Sequence, residues 1–224
     1  MLPTFSQLYG DGKHIVGKRD LKPQHGIHYE AGFKKNIGSQ SWRFDVFHYK
    51  IKDSLEAKYI QNSLDIEYAN EDIRNTGVEL DWQMKPSDRF FYHVGVTCSH
   101  AEKQETNVYT KTNGVSKGGW HDYCGKIQLN TGFTAKSGKL TTSFEMNYLG
   151  KRTRDYANKD TVGIYPSMKA QVLSDLNFSY QANENSRFFL NIDNLFNRHD
   201  IISTSSSTFY DLGRNYMLGY EYKF

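Results

Sequence analysis

The sequence holds no run of about 18 apolar residues, so no transmembrane helix is expected. Hydrophobic residues make up only 38% of the chain, low for a globular core. The two cysteines, Cys98 and Cys124, are too few for a disulfide framework and lack zinc-site spacing. Strand phasing puts them on opposite faces, so two free thiols are expected. A net charge of +3 is too small to point to nucleic acid. The start, Met1 to Gly10, lacks the basic and long apolar regions of a signal peptide. No nucleophile elbow, phosphate loop or metal-ligand cluster is present, so neither an enzyme nor a cofactor is expected. His25-x-x-His28 reads as two loop-edge histidines.

Aromatics are abundant instead. They reach 15%, with 16 Tyr and 14 Phe, while mean hydropathy is -0.71. Many aromatics in a polar sequence with regular alternation fit a transmembrane barrel, whose lumen face and loops are polar. The end of the chain has this pattern most plainly. Tyr216, Leu218, Tyr220, Tyr222 and Phe224 alternate with Met217, Gly219, Glu221 and Lys223. A period of two is a strand signal.

The same alternation recurs upstream. Residues 1 to 26 read as loop. Strands follow at 27 to 34, 42 to 52, 73 to 84, 90 to 98, 120 to 134, 140 to 148, 172 to 180 and 188 to 192. Short turns are expected at about 36, 86, 137 and 184. Long polar loops are expected at 53 to 71, 103 to 117, 152 to 166 and 199 to 209. Alternating short and long connections suit a membrane barrel, with tight turns on one rim and long loops on the other. The fold class expected is all-β: an antiparallel up-and-down transmembrane β-barrel. In that barrel Trp82, Val94, Phe144, Met146, Leu176, Phe178 and Leu190 face lipid. Glu79, Asp81, Glu145 and Asn147 face the lumen, where carboxylates are ordinary solvated lining.

Six segments carry a family resemblance. Phe5-Ser6-Gln7-Leu8-Tyr9-Gly10 resembles a strand-end segment of TonB-dependent receptor barrels. His28-Tyr29-Glu30-Ala31-Gly32-Phe33-Lys34 and Asp45 through Asp53 resemble two consecutive strands of that family. Arg74-Asn75-Thr76-Gly77-Val78-Glu79-Leu80 is similar to its N-x-G-x-E strand. Asn191-Ile192-Asp193-Asn194-Leu195-Phe196-Asn197 matches its N-L-F strand, and Gly213 through Phe224 its closing strand.

The resemblance implies about ten C-terminal strands of a larger, 22-stranded barrel, with the plug domain and N-terminal strands outside residues 1–224. It implies part of an outer-membrane transporter or receptor for a scarce ligand: an iron-siderophore complex, haem, cobalamin or similar. The implied partners are outer-membrane lipid, the barrel-assembly machinery, a small-molecule ligand such as a siderophore, and TonB-type coupling through a plug. Tyr220, Tyr222 and Phe224 resemble the terminal signal read by that assembly machinery. The implied location is the cell outer membrane, reached as part of a longer protein. A complete small porin-like barrel and a soluble β-sheet binding module are the alternatives.

Overall fold

The computed structural model describes residues 1–224 apart from 61–62, 105–107, 111–113, 117–119, 123–124, 154–166 and 205–207. The chain opens with helix α1 (Phe5–Tyr9), β1 (Ile15–Val16), β2 (His25–Ile37), β3 (Gln40–Tyr59) and β4 (Ile66–Ser87). Then come β5 (Phe90–Gln104), β6 (Val108–Thr110), β7 (Gly114–Ser116), β8 (Trp120–Asp122), β9 (Ile127–Ser137) and β10 (Leu140–Leu149). The rest is β11 (Arg152–Thr153), β12 (Ser167–Met168), β13 (Gln171–Gln181), β14 (Ser186–Asp193), β15 (Ile201–Thr204), β16 (Thr208–Tyr210) and β17 (Asn215–Tyr222). By internal contacts the chain divides into two compact units.

One unit comprises Ala31–Val46, Gly77–Ser99 and Cys124–Phe224. Among the described residues it holds all of β9, β10, β13, β14 and β17 and part of each of β2, β3, β4 and β5, nine strands whose sheet order is β2-β3-β4-β5-β9-β10-β13-β14-β17. This is an up-and-down meander: chain order and sheet order agree. Tight turns at 38–39, 88–89, 138–139 and 182–185 close four hairpins. Gly38 and Gly138 hold φ of +56° and +59° at the first turn position, as a two-residue II′ turn requires. The turns share one rim, because each is bonded to the strand end beside the next. Lys85 N–H donates to Ser39 O, Lys136 to Arg89, Gln181 to Lys139 and Lys223 to Asn185, at 2.7–2.9 Å.

The other unit comprises Met1–Glu30, Phe47–Thr76 and His100–Tyr123. Here α1 is closed by a capping box between Thr4 and Gln7. β1 runs parallel to β4, with Ile15 opposite Ile66. A small core forms from Leu21, Ala69, Ile73 and Ala101. Asn70 accepts from Lys22 N–H at 2.8 Å and donates to Asp53 O at 2.9 Å, tying the first segment to β4 and β3.

Several expectations are corrected. Residues 1 to 26 are not all loop, since they include α1, β1 and the start of β2. His25 and His28 therefore sit in a strand, and His28 lies 3.7 Å from Glu30. The segment 53 to 71 is mostly strand: β3 spans 20 residues and β4 spans 22. Asp53, at φ 55°, interrupts the regular period inside β3, and that kink hides the strand from a period-two reading. The expected strand 120 to 134 is two elements, β8 and β9. β8 pairs with β5 through Glu102–Asp122, Lys103–His121 and Gln104–Trp120. The segment 103 to 117 carries the β6–β7 hairpin. Cys98 is an exposed free thiol opposite Ile127. Cys124 and the expected loop at 154–166 lie outside the described residues.

Candidate functional site

The nine-stranded sheet sorts its side chains by chemistry. Residues directly opposite across an antiparallel pair share a face. Phe144 stands opposite Phe133 and Leu176, and those rows continue to Tyr92 and Ile192. Met146 stands opposite Thr131, which faces Val94. Phe178, Leu190 and Leu218 make a third row, and Tyr180, Phe188 and Tyr220 a fourth. Trp82 joins this face through its ring contacts with Tyr92 (5.5 Å) and Trp42 (5.6 Å). The face is apolar and uncovered over much of its area, with Val78, Leu80, Leu140, Tyr180, Phe188 and Leu218 exposed. Large contiguous exposed apolar surface marks contact with lipid or with another protein.

The opposite face is polar. Asn147 pairs with Asn130, and Asn130 with Gly95. A Cβ on Gly95 would lie 2.8 Å from Asp81 Oδ1, so Asp81 lies on this face. Glu79, two residues along the same strand, points the same way. Glu145 lies across Gly132 and its Oε2 is 3.2 Å from His93 Nε2. Asp45 lies across Gly32 and is held by Arg43 Nε at 2.6 Å. Asn177 donates to Asn191, and Phe189 covers Gly219. Arg43 and Asp45 were read from sequence as inward-facing, whereas His93 and the Asn177–Asn191 pair were missed. Their only signal is membership of the polar phase of their strands.

At the far end of this sheet a polar lock joins β13, β14 and β17. Asn194, only 6% exposed, donates through Nδ2 to Arg198 O and Leu212 O at 2.7 Å each. Its Oδ1 accepts from Arg198 N–H at 2.9 Å, and its own N–H donates to Asp175 Oδ1 at 3.0 Å. Asp200 accepts from Arg198 at 2.6 and 2.8 Å and from Val172 N–H at 2.9 Å. Gln171 donates to both oxygens of Asp211 at 3.0 Å. The Arg198 hydrogen bonds hold the Asp200 carboxyl below its ordinary 3.8; burial opposes them and the Val172 N–H adds to them.

A depressed folded pKa means a contribution that is full above the unfolded value and lost as pH falls through the folded one. Stability is therefore expected to drop on acidification below pH 3.8. Asp200→Asn should flatten that slope in acid unfolding followed by tryptophan fluorescence. Identical acid slopes in the two proteins would remove Asp200 as its source.

The second unit has its own charge cluster. The Glu71 side chain is fully buried and contacts Lys58 Nζ, with Lys103 Nζ at 3.2 Å. Lys103 also donates to Glu56 Oε2 at 2.9 Å, and Ser54 to Glu56 Oε1 at 2.9 Å. Buried carboxylates are tolerated only when paired in this way. Nearby, Arg74 Nε bonds Glu102 Oε2 at 2.6 Å, and its guanidinium lies 4.1 Å from the centre of the Trp120 ring. Among the described residues no group of three or more His, Cys, Asp or Glu is placed to hold a metal ion.

A model of the TonB-dependent receptor-like β-barrel matches residues 1–195. No curated protein sequence matches the chain. Solved structures do. The copper transporter OprC is 14% identical, with a TM-score of 0.70, over 100% of this chain and 35% of its own. The pyoverdine outer-membrane receptor FpvA from Pseudomonas aeruginosa PAO1 is 20% identical, with a TM-score of 0.69, over 91% of this chain and 30% of its own. The FrpB iron transporter from Neisseria meningitidis is 22% identical, with a TM-score of 0.67, over 94% of this chain and 33% of its own. The chain thus spans about a third of the length of these structures. With a two-faced antiparallel meander and a family match over most of its length, the chain belongs to the TonB-dependent receptor β-barrel family.

Proposed function

We propose that this chain is a section of the wall of an outer-membrane, TonB-dependent transporter that takes up a scarce ligand of the iron-siderophore kind. The observation that carries the reading is the sorting of nine strands into a mainly apolar and a mainly polar face. An apolar face built from Trp82, Val94, Phe144, Met146, Leu176, Phe178 and Leu190 suits lipid. A polar face bearing Glu79, Asp81, Glu145 and Asn147 suits a water-filled or plugged lumen. The tight turns then mark the periplasmic rim. Tyr220, Tyr222 and Phe224 lie beside that rim, where an aromatic end can be read during insertion; the Tyr222 and Phe224 rings are 5.2 Å apart. The ligand class is supported by neighbours named for copper, iron and pyoverdine. Ligand recognition and TonB coupling are functions of the whole receptor.

The test places labels at residues 144 and 145 of a complete receptor carrying this wall section in bilayers. A lipid-soluble quencher is expected to reach 144 and not 145. Phe144→Arg should destabilise the inserted barrel by about 2–4 kcal/mol, and Asn147→Arg by far less. The complete receptor should restore growth of a receptor-deleted host on its iron-siderophore, and residues 1–224 alone should not. Equal quenching at both labels rules out the wall; growth restored by residues 1–224 alone rules out the part-of-a-wall reading.

A further inference from the structure

We propose that the apolar face beside the first tight turn is a seat for one anionic glycerophospholipid. An acyl chain lies in a cleft formed by β2, β3 and β4, and the headgroup phosphate meets Lys35. The proposal rests on the wall reading above, which turns this face to lipid and puts the tight turns at the periplasmic rim.

Local register builds the cleft. The two-residue turn at 38–39 sets Ile37 opposite Gln40, Lys35 opposite Trp42 and Phe33 opposite Phe44. Gly32 fits the same register, since a Cβ there would meet Asp45. Phe33, Lys35 and Ile37 therefore share a face with Trp42 and Phe44. With Leu80 they line a cleft of about 280 Å³. It opens on the face of the sheet, not on a hydrogen-bonding edge. Its aromatic walls have no spare donors. Gln40 Oε1 accepts from Trp42 Nε1 at 3.2 Å and from Trp82 Nε1 at 3.1 Å. Arg43 also borders the cleft, but its guanidinium is held by Asp45 on the polar face. What remains is apolar surface and one ammonium group.

That ammonium sets the chemistry of the occupant. Among the described residues Lys35 has neither an ion pair nor a hydrogen bond. A lysine on a lipid-facing row lays its stem along apolar surface and raises its charge to the interface. There it meets phosphate. The surroundings fix the net charge of the headgroup. Residues 34–41, 85–90 and 136–140, beside the first three turns, carry Lys34, Lys35, Lys85, Arg89, Lys136 and Lys139. The one carboxylate in these segments is Asp88, and Lys85 holds it at 2.9 Å. A zwitterionic headgroup would bring its own ammonium into this positive field, and a net-negative one does not. A second copy of the chain would bring the same cations, which repel. Each lysine near an anionic headgroup is worth about five-fold in affinity.

The test uses a complete receptor carrying this wall section, extracted folded into micelles. Native mass spectrometry counts the lipids it retains from added phosphatidylglycerol, phosphatidylethanolamine or lipid A. One phosphatidylglycerol is expected to stay bound, about five-fold more tightly than phosphatidylethanolamine. Lys35→Gln should lose about five-fold for phosphatidylglycerol and little for phosphatidylethanolamine, and Lys35→Arg should lose nothing. Leu80→Trp fills the cleft and should release phosphatidylglycerol with Lys35 still in place. Equal retention of the two phospholipids, unchanged affinity in Lys35→Gln or Leu80→Trp, or retention of lipid A alone overturns the seat. Labels at 144 and 145 of the same receptor keep the two readings apart. Quenching at 144 alone, without a preference for phosphatidylglycerol, removes the seat and leaves the wall. Equal quenching at both labels removes the wall and the seat with it.

Discussion

Glu71→Leu is expected to lower the stability of this protein by about 1–3 kcal/mol, because it removes the buried carboxylate that the half-buried Lys58 and Lys103 ammonium groups share. Lys58 loses its carboxylate partner, while Lys103 keeps Glu56. That asymmetry gives a second result. In Glu71→Leu combined with Lys58→Met, both members of the pair become apolar and most of the loss should return. Glu71→Gln keeps the shape without the charge and should fall between. The measurement is the urea midpoint in detergent micelles, with the slope checked for constancy. A single Glu71→Leu variant within about 0.5 kcal/mol of the parent, the range of an ordinary surface change, would falsify the buried-pair account.

The Asn194 lock carries the other large effect. Three side-chain hydrogen bonds are worth about 1 kcal/mol each, and the buried groups left behind add desolvation. Asn194 also holds φ at 52°, a left-handed backbone that costs most non-glycine residues about 1–2 kcal/mol. Asn194→Gly removes the bonds alone and should cost about 3 kcal/mol. Asn194→Ala should cost about 1 kcal/mol more, the added backbone strain. If Ala proves no worse than Gly, the conformational part is wrong. If neither changes the urea midpoint, the lock has no role in stability.

How much of this was legible follows from where the signals lie. The strand from Leu140 to Tyr148 was plain, because an uninterrupted strand writes its two faces directly into alternate residues. The tight turns were equally plain, with Gly38 and Gly138 at the positions that need positive φ. β3 and β4 were cut short because Asp53 breaks the period and the residues beyond it are charged. Those charges are buried by partners on other strands, Lys103 lying 47 residues from Glu56, and no local pattern records such a pair. The His93–Glu145 contact is hidden for the same reason. The Asn-Leu-Phe-Asn motif was visible as a family likeness. Its cause, two asparagines at φ 52° whose side chains tie separate segments together, needed the backbone.

Four glycines on the polar face have a consequence for space. Gly32, Gly95, Gly132 and Gly219 each lie under a neighbour's side chain: Asp45, Asn130, Glu145 and Phe189. A side chain that reclines over a glycine stands less far from the backbone than one held upright by a Cβ beside it. The sheet is thinner there, and the room in front of it is correspondingly deeper. For a wall of fixed strand number the circumference is fixed, so clearance can be gained only by lowering what projects inward. In the wall proposed above, with this face turned to the lumen, the notches under Asp45, Asn130 and Glu145 widen the bore without adding a strand and keep carboxylate and amide groups on its surface.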